Sequence, residues 1–208
     1  MIITEIIPVT KQRYRVVTDE QLAFVLYKGE LSRYRLQKDM ELPHELLERI
    51  LEEVLIKRAK LRAMHLLNRM DYTESQLRKK LEQGEYTSRA VDIALEYVKS
   101  YHYLDDARYV QRYLACCEGK KSRKQAEFDL ERKGVSRQLI AECRQKMEEE
   151  LEESDETELI RSILEKRCKD PKSADEKEIR RHYGYFVRKG FSSSDIWSVF
   201  HDFFERFS

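Results

Sequence analysis

The chain has 208 residues, of which 41% are hydrophobic and 38% are charged, and its formal net charge is +1. Its apolar content allows cores to form, and its six Gly and three Pro leave few helix breakers, so a mainly helical protein is expected. No apolar segment approaches the ~20 residues of a membrane span. The four cysteines form no Cys-x-x-Cys motif, which favours reduced thiols in a cytoplasmic protein.

Residues 1–42 predict a small β-hairpin extension. RYRVV (13–17) and LAFVLYK (22–28) are rich in β-branched and aromatic residues, which are common in strands. TDEQ (18–21) lies between them and supplies turn residues. A third strand is expected within residues 2–9, so the extension is predicted to be a hairpin with one additional strand.

A helical segment leads into three related segments. Between residues 43 and 70 apolar residues recur at helical spacing, which predicts one long helix or two abutting helices. LEQGEYT (81–87), LERKGVS (130–136) and FVRKGFS (186–192) then share one pattern. Each begins with an apolar residue that is expected to be buried and ends with a helix N-cap. The aligned pairs are Leu81 and Thr87, Leu130 and Ser136, and Phe186 and Ser192.

Caps and apolar stripes predict the helices around these segments. After each N-cap, apolar residues recur at positions i, i+3, i+4 and i+7, which predicts the buried face of a helix. Arg144, in the second repeat, is the only residue at these positions that is not apolar. The helix before each segment is predicted to begin with a capping box, at Thr73–Gln76, Ser122–Gln125 and Ser173–Glu176. One further helix opens the second and third repeats, where Asp105 and Asp155 are the predicted caps.

These elements predict a mainly α fold of tandem three-helix repeats that form an elongated, curved array, with the small hairpin region at the N-terminus. The predicted domains are the extension (1–42), a helical lead-in with repeat 1 (43–104), repeat 2 (105–154) and repeat 3 (155–208). Gly134 and Gly190 stand where a helix C-terminus needs a residue at positive φ. Glu85 takes that position in repeat 1, so its turn is expected to differ.

The sequence lacks the patterns of a catalytic or metal site. EGKKS (118–122) resembles the end of a phosphate-binding loop, but Leu114 stands where that motif needs a Gly, so an inter-helix turn is predicted. None of the five histidines forms an i, i+4 pair, the spacing that places two metal ligands on one helix face. Nucleophile signatures are also absent. We therefore expect no enzyme activity, no metal and no cofactor.

Basic residues are concentrated in short segments, which indicates a binding role. Residues 57–80 carry eight Lys or Arg against two acids, whereas residues 145–160 carry one Lys against eight acids. The lead-in helix is predicted to place four cations on one face: Arg58, Arg62, His65 and Arg69. The candidate nucleic-acid and filament-binding residues are Arg58, Arg62, Arg69, Lys79, Lys80, Lys120, Lys121, Arg123, Lys124, Arg132, Lys133, Arg188 and Lys189. Two structural explanations stay open, a solvated charged face and, for residues 132–133 and 188–189, complementation of helix dipoles.

Tyrosines between the first two repeats are a further candidate for nucleic-acid contact, because their rings could stack on bases. They are Tyr101, Tyr103, Tyr109 and Tyr113. Their helical spacing favours packing in the core instead, so we expect the structural role for these rings.

Several segments resemble the RecX family. YHYLDDARYVQRYL (101–114) and KSRKQAEFDLERKGVS (121–136) are similar to the family signature. KRAKLRAMHLLNRMDYTESQLRKKL (57–81) resembles the start of its first repeat, and FVRKGFSSSDI (186–196) resembles part of its third. The resemblance covers residues 55–205. It implies a fold of tandem three-helix repeats and carries over no catalytic or ligand positions.

The resemblance also implies a function. Members of the family regulate the RecA recombinase, usually as inhibitors, and bind in the groove of the RecA–DNA filament. They modulate strand exchange and ATP hydrolysis in DNA repair and homologous recombination, and several bind DNA. The expected partners are therefore the RecA filament and, more weakly, single- or double-stranded DNA, with no membrane and a monomeric protein.

Two other functions are compatible with the residues. One is a RecA-independent, sequence-tolerant DNA-binding protein whose three-helix units dock on DNA. The other is a scaffold that recognises only protein, whose affinity would depend little on the basic clusters. A direct DNA binder should bind bare DNA tightly at physiological salt, whereas a filament regulator should prefer RecA-coated DNA.

Overall fold

The computed structural model describes residues 1–150, 156–168 and 174–205. The chain divides into two compact units, residues 1–105 and 106–208. Both are mainly helical, and within the described ranges no helix is long and apolar enough to cross a membrane. The predicted elongated, curved array stays a prediction.

The first unit begins with a three-stranded antiparallel sheet. Its strands are β1 (Ile3–Pro8), β2 (Arg13–Thr18) and β3 (Ala23–Tyr27), arranged in sequence order. Val16 lies opposite Phe24 in the register, and both side chains are fully buried. The predicted hairpin and its third strand are therefore confirmed.

A short helix, α1 (Lys28–Tyr34), follows β3 directly and was not predicted. It ends at Arg35, whose φ of 53° is left-handed. Two turns are too short for a periodic apolar stripe, which explains why the sequence pattern did not indicate it. The carboxylate of Glu30 caps its start by accepting from the Tyr27 N–H at 2.7 Å.

The lead-in helix runs from His44 to Leu67 without a break. It comprises α2 (His44–Ile50), a π-helical segment (Leu51–Ile56) and α3 (Lys57–Leu67), with Pro43 at the N-cap of α2. In the π segment the buried residues are Leu51, Val54, Leu55 and Ile56. The wider turn therefore brings four apolar side chains of one segment into the core.

Repeat 1 is completed by α4 (Glu74–Glu82) and α5 (Ser88–Ser100). The sheet and these helices share one core. Its fully buried side chains include Phe24, Leu26, Ile50, Leu55, Leu77, Leu81 and Leu95. The N-terminal extension is therefore part of the domain that contains repeat 1.

The second unit contains the other two repeats. Repeat 2 comprises α6 (Asp106–Cys117), α7 (Arg123–Arg132) and α8 (Arg137–Glu150). Repeat 3 comprises α9 (Glu156–Arg167), α10 (Glu176–Arg188) and α11 (Ser193–Glu205). Each has its own core, and in repeat 3 the rings of Phe186 and Phe200 meet edge to face, with centroids 5.9 Å apart.

The predicted alignment of the repeats is confirmed. Leu81, Leu130 and Phe186 are each 0% exposed. Each predicted cap accepts a backbone N–H with its hydroxyl, Thr87 from Ala90, Ser136 from Leu139 and Ser192 from Asp195. Arg144, the one non-apolar residue in the predicted apolar stripes, is exposed and pairs with Glu127 at 2.8 Å, so this exception is also confirmed.

The capping boxes are confirmed only in part. Thr73 and Gln76 bond reciprocally as predicted. Ser122 accepts from the Gln125 N–H at 3.3 Å, but the Gln125 side chain donates to Asp129, so the second half of that box is wrong. The third box, Ser173–Glu176, is also wrong, because α10 begins at Glu176 and its N-cap is Asp175. Ser173 and Asp155 lie outside the described residues, whereas Asp105 directly precedes α6.

One residue in the turn after the second helix of each repeat has positive φ. Gly134 and Gly190 have φ of 86° and 89°, as predicted, and Glu85 has φ of 62°. The first turn nevertheless differs in its hydrogen bonds, as expected. The N–H groups of Val135 and Phe191 bond to the carbonyls of Leu130 and Phe186, whereas in repeat 1 the Gly84 N–H bonds to the carbonyl of Leu81, and α4 ends one aligned residue earlier, at Glu82. Arg15 on β2 forms an ion pair with the Glu85 carboxylate, and this contact holds a residue type that seldom adopts positive φ.

Candidate nucleic-acid and filament interface

Arg58 lies inside the first unit and does not share an exposed face with the other cations of α3. Its guanidinium pairs with Glu30 and donates to the carbonyl of Val25 at 3.1 Å. It also lies 4.5 Å from the centroid of the Tyr27 ring, and its side chain is only 23% exposed. Arg58 therefore joins α3 to α1 and β3, and the predicted one-face arrangement is wrong at this residue.

The remaining cations of the first cluster face solvent. Arg62 and His65 are exposed on α3, Lys79 and Lys80 are exposed near the end of α4, and Arg69 lies beyond the end of α3. The prediction that Arg69 continues the helical face is therefore wrong. Within the described part of the chain, the side chains of Arg62, Arg69, Lys79 and Lys80 have no ion-pair or hydrogen-bond partner.

Large apolar side chains are exposed beside these cations. Leu61 is 68% exposed, Met64 is 37% exposed and Met70 is 58% exposed. Leu61 and Met64 lie next to Arg62 and His65 in sequence, on α3. A surface of this kind can contact a protein through its apolar groups and phosphates through its cations.

The second cluster, around EGKKS, forms the turn between α6 and α7, as predicted. Lys121 contacts Asp129 at 2.7 Å and the Tyr113 hydroxyl at 3.2 Å. The bond to Asp129 raises the pKa of Lys121, and the same bond lowers the pKa of Asp129. Lys121 is therefore held as a cation within repeat 2 rather than presented freely.

Its neighbours also make local contacts. The Lys120 ammonium donates to the carbonyl of Cys116 at 3.1 Å. The Arg123 backbone N–H donates to the Glu156 carboxylate at 2.7 Å, which links α7 to α9. Lys124 is exposed at the start of α7. Phosphate binding by these residues stays a prediction.

The basic pairs near the glycines lie at helix C-termini. Arg132 and Lys133 end α7, and Arg188 and Lys189 end α10. The Lys133 ammonium lies 5.5 Å from the centroid of the Tyr113 ring, and Arg132, Arg188 and Lys189 are exposed. These positions fit complementation of the helix dipoles, so their role in binding also stays a prediction.

The four tyrosines fall into two groups. Tyr109 and Tyr113 are partly buried against the repeat 2 core, in agreement with the expected packing. Tyr101 is 58% exposed and Tyr103 is 54% exposed, so core packing was the wrong expectation for these two. The reason is local, because Tyr101 is the C-cap of α5 and Tyr103 follows the left-handed His102, at φ 56°.

Other chemistry is limited in the described ranges. All four cysteines are free thiols, as predicted. Among the residues that the structure describes, no cluster of three or more His, Cys, Asp or Glu could hold a metal ion. The features available for function are therefore surfaces: exposed cations, exposed apolar residues and exposed rings.

The fold and these surfaces define a protein of tandem three-helix domains suited to binding a partner. Models of the first and third three-helix domains of RecX match residues 59–97 and 153–200. The regulatory protein RecX of Trichlorobacter lovleyi is 34% identical over 144 residues, which cover 67% of this chain and 92% of the relative. That of Clostridium acetobutylicum is 25% identical over 197 residues, which cover 93% of this chain and 91% of the relative.

Solved structures agree in fold. A crystal structure of regulatory protein RecX superposes with a TM-score of 0.62 at 23% identity, and covers 97% of this chain and 98% of its own. The crystal structure of RecX from Lactobacillus salivarius superposes with a TM-score of 0.61 at 15% identity, and the match covers 71% of this chain and 96% of that chain. The chain belongs to the RecX family of regulatory proteins.

Proposed function

We propose that this protein regulates the RecA recombinase by binding in the groove of the RecA–DNA filament, and that it inhibits strand exchange and ATP hydrolysis. Membership of a family of regulatory proteins supports the regulatory role. The observation that carries the nucleic-acid side of the proposal is the set of exposed cations without partners in the described part of the first unit.

These cations differ from the other arginines around them. Arginines of the first unit that pair with acids are Arg15, Arg33, Arg58, Arg78 and Arg89. Arg78 pairs with Asp92 at 2.5 Å, while the next two residues on α4 are exposed lysines without a partner in the described ranges. Exposed cations that no acid neutralises are suited to phosphate contact, which fixes a protein on DNA without reading sequence.

The apolar neighbours of these cations support a partner that is both protein and nucleic acid. Leu61 and Met64 are on the same helix as Arg62, α3, and they are 68% and 37% exposed. A filament groove presents protein surface and phosphates together, so its ligand needs apolar and cationic groups on one domain. Bare DNA would leave these apolar groups in water.

The test is RecA ATP hydrolysis on single-stranded DNA, with this protein titrated in. The triple variant Arg62→Glu, Lys79→Glu and Lys80→Glu should fold normally, because Glu is a good helix former and the positions are exposed. We expect weaker inhibition and a flatter dependence of filament affinity on salt, by about 0.7 log units per log unit of salt for each phosphate that the variant no longer neutralises.

The matched control changes the same number of charges elsewhere in the unit. Lys11, Lys28 and Lys38 are exposed residues of the extension, and their triple change to Glu should leave inhibition unchanged. If the first variant inhibits as well as wild type at every salt concentration, the basic surface is only a solvated face. If wild type binds bare and RecA-coated DNA equally, the RecA-independent DNA-binding function is correct instead.

A further inference from the structure

Three tyrosines at the end of α5 form a second surface, which we name the tyrosine ledge: Tyr97, Tyr101 and Tyr103. The rings of Tyr101 and Tyr103 are 6.1 Å apart between centroids and nearly parallel, with an interplanar angle of 16°. Tyr97 lies behind them, 5.0 Å from Tyr101, and packs against the core of the unit. The ledge therefore has a partly buried supporting ring and two exposed rings.

A helix C-cap fixes the two exposed rings. The His102 N–H bonds to the carbonyl of Lys99 at 2.8 Å, and the Tyr103 N–H bonds to that of Val98 at 2.9 Å. This is the Schellman arrangement, whose left-handed position usually holds glycine. Here it holds His102, at φ 56°, so the ledge is built on a strained residue, and such strain is concentrated at functional sites.

A cation lies beside the supporting ring of the ledge. The Lys60 ammonium lies 4.6 Å from the centroid of the Tyr97 ring. Lys99 contacts Glu74 of α4 at 2.9 Å and Glu96 of α5 at 3.1 Å, and Arg78 lies 3.6 Å from Glu74, so each of these two acids has a cation within 4 Å. A ligand that stacks on the rings can therefore place a negative group beside Lys60.

We propose that the tyrosine ledge binds the bases of single-stranded nucleic acid by stacking. Two exposed and nearly parallel rings continue a stack of bases, and a cation at the margin suits the phosphate backbone. By contrast, Phe186 in the repeat 3 core meets Phe191 and Phe200 edge to face, at 72° and 82°, an arrangement common in protein interiors. A duplex hides its base faces, so the site selects single strands.

This site goes beyond the proposed regulation of RecA because it needs no RecA to act. The competing occupant is a protein, since exposed tyrosines also anchor protein interfaces. Free oligonucleotides separate the two occupants, because they contain bases and no protein. They also keep the test independent of the ATP hydrolysis assay, so either proposal can fail while the other stands.

The experiment measures fluorescence anisotropy of dye-labelled oligothymidylate of about 20 nucleotides, longer than the ~4–16 nucleotides of one single-strand binding module. The comparison ligands are an abasic strand of equal length and a duplex of equal length. Wild type should bind the thymidine strand at least about 10-fold more tightly than the abasic strand, because only the former can stack.

Three variants assign the effect to the ledge. The double variant Tyr101→Ala and Tyr103→Ala should bind both single strands with equal affinity, and its abasic affinity should match wild type. The double change to Phe keeps both rings and should restore the preference. Phe128→Ala removes an exposed ring in the other unit, 55% exposed, and should have no effect.

Two results would overturn the proposal. One is a wild-type protein that binds the thymidine strand no better than the abasic strand, or binds neither. The other is an alanine double variant that keeps the full preference for bases. If that variant keeps the preference but no longer binds RecA-coated DNA, the ledge is a protein contact.

Discussion

Gly190 should be more sensitive to substitution than Gly119, because two separate constraints act on it. Its φ of 89° is left-handed. A Cβ at this position would lie 3.0 Å from the Ser122 Oγ and 3.1 Å from the Lys124 Cβ. Ser122 in turn donates to the Lys189 carbonyl and accepts from the Gln125 N–H, so it cannot move without breaking hydrogen bonds.

The cost of Gly190→Ala follows from these constraints. A left-handed non-glycine residue costs about 1–2 kcal/mol. Displacement of the Ser122 hydroxyl from its capping position costs about 1 kcal/mol more, within a range of about 0.5–2. We therefore expect the free energy of unfolding to fall by about 1.5–4 kcal/mol in total.

Gly119→Ala is the matched control. Gly119 also has positive φ, 66°, but a Cβ there would meet nothing within 4 Å. It should therefore show only the backbone contribution, about 1–2 kcal/mol. Urea unfolding followed by far-ultraviolet circular dichroism reports on the helices of both repeats, and the fluorescence of Trp197, the one tryptophan of the chain, reports on repeat 3 alone. If Gly190→Ala is no more destabilising than Gly119→Ala, the proposed steric contact with Ser122 is wrong.

Two further predictions concern Glu85 and His182. In urea melts, the Glu85→Val variant should be about 1–2 kcal/mol less stable than Glu85→Gly. Both changes remove the ion pair with Arg15, but only valine resists positive φ. Equal stability of the two variants would show that the turn relaxes to another conformation. Burial and the nearby Arg167 lower the pKa of His182 from 6.5, so the unfolded chain takes up the proton first and stability falls as the pH drops below about 6.5. His182→Leu should flatten the dependence between about pH 7.5 and 5.5, and a variant with the slope of wild type would exclude His182 as the cause.

Local signals made most of the fold predictable from sequence. A hydroxyl cap and an apolar stripe lie within a few residues of the helix they define, so Thr87, Ser136 and Ser192 could be assigned without tertiary information. Gly134 and Gly190 were predictable for the same reason. The helix α1 was not predictable, because it is too short to show a period.

The candidate interface was less predictable, because it depends on contacts between distant segments. Helical spacing placed Arg58 with Arg62, but an acid 28 residues away, Glu30, binds Arg58 within the fold. The spacing of Tyr101 and Tyr103 indicated burial, whereas the C-cap at His102 turns the chain out of the helix. A sequence period describes a helix only up to its last residue, so side chains beyond that point need the structure.

The ion pair between Arg15 and Glu85 links residues 70 positions apart and makes their substitution order matter. If Glu85 changes first to Gly, the turn is relieved of its backbone strain, and Arg15, which is 42% exposed, can remain in water. If Arg15 changes first, Glu85 keeps its left-handed φ and a carboxylate whose second oxygen is already buried without a hydrogen-bond partner in the described structure. We therefore expect the effect of each substitution to depend on which comes first: Arg15 should be easier to replace after Glu85 has become glycine than before.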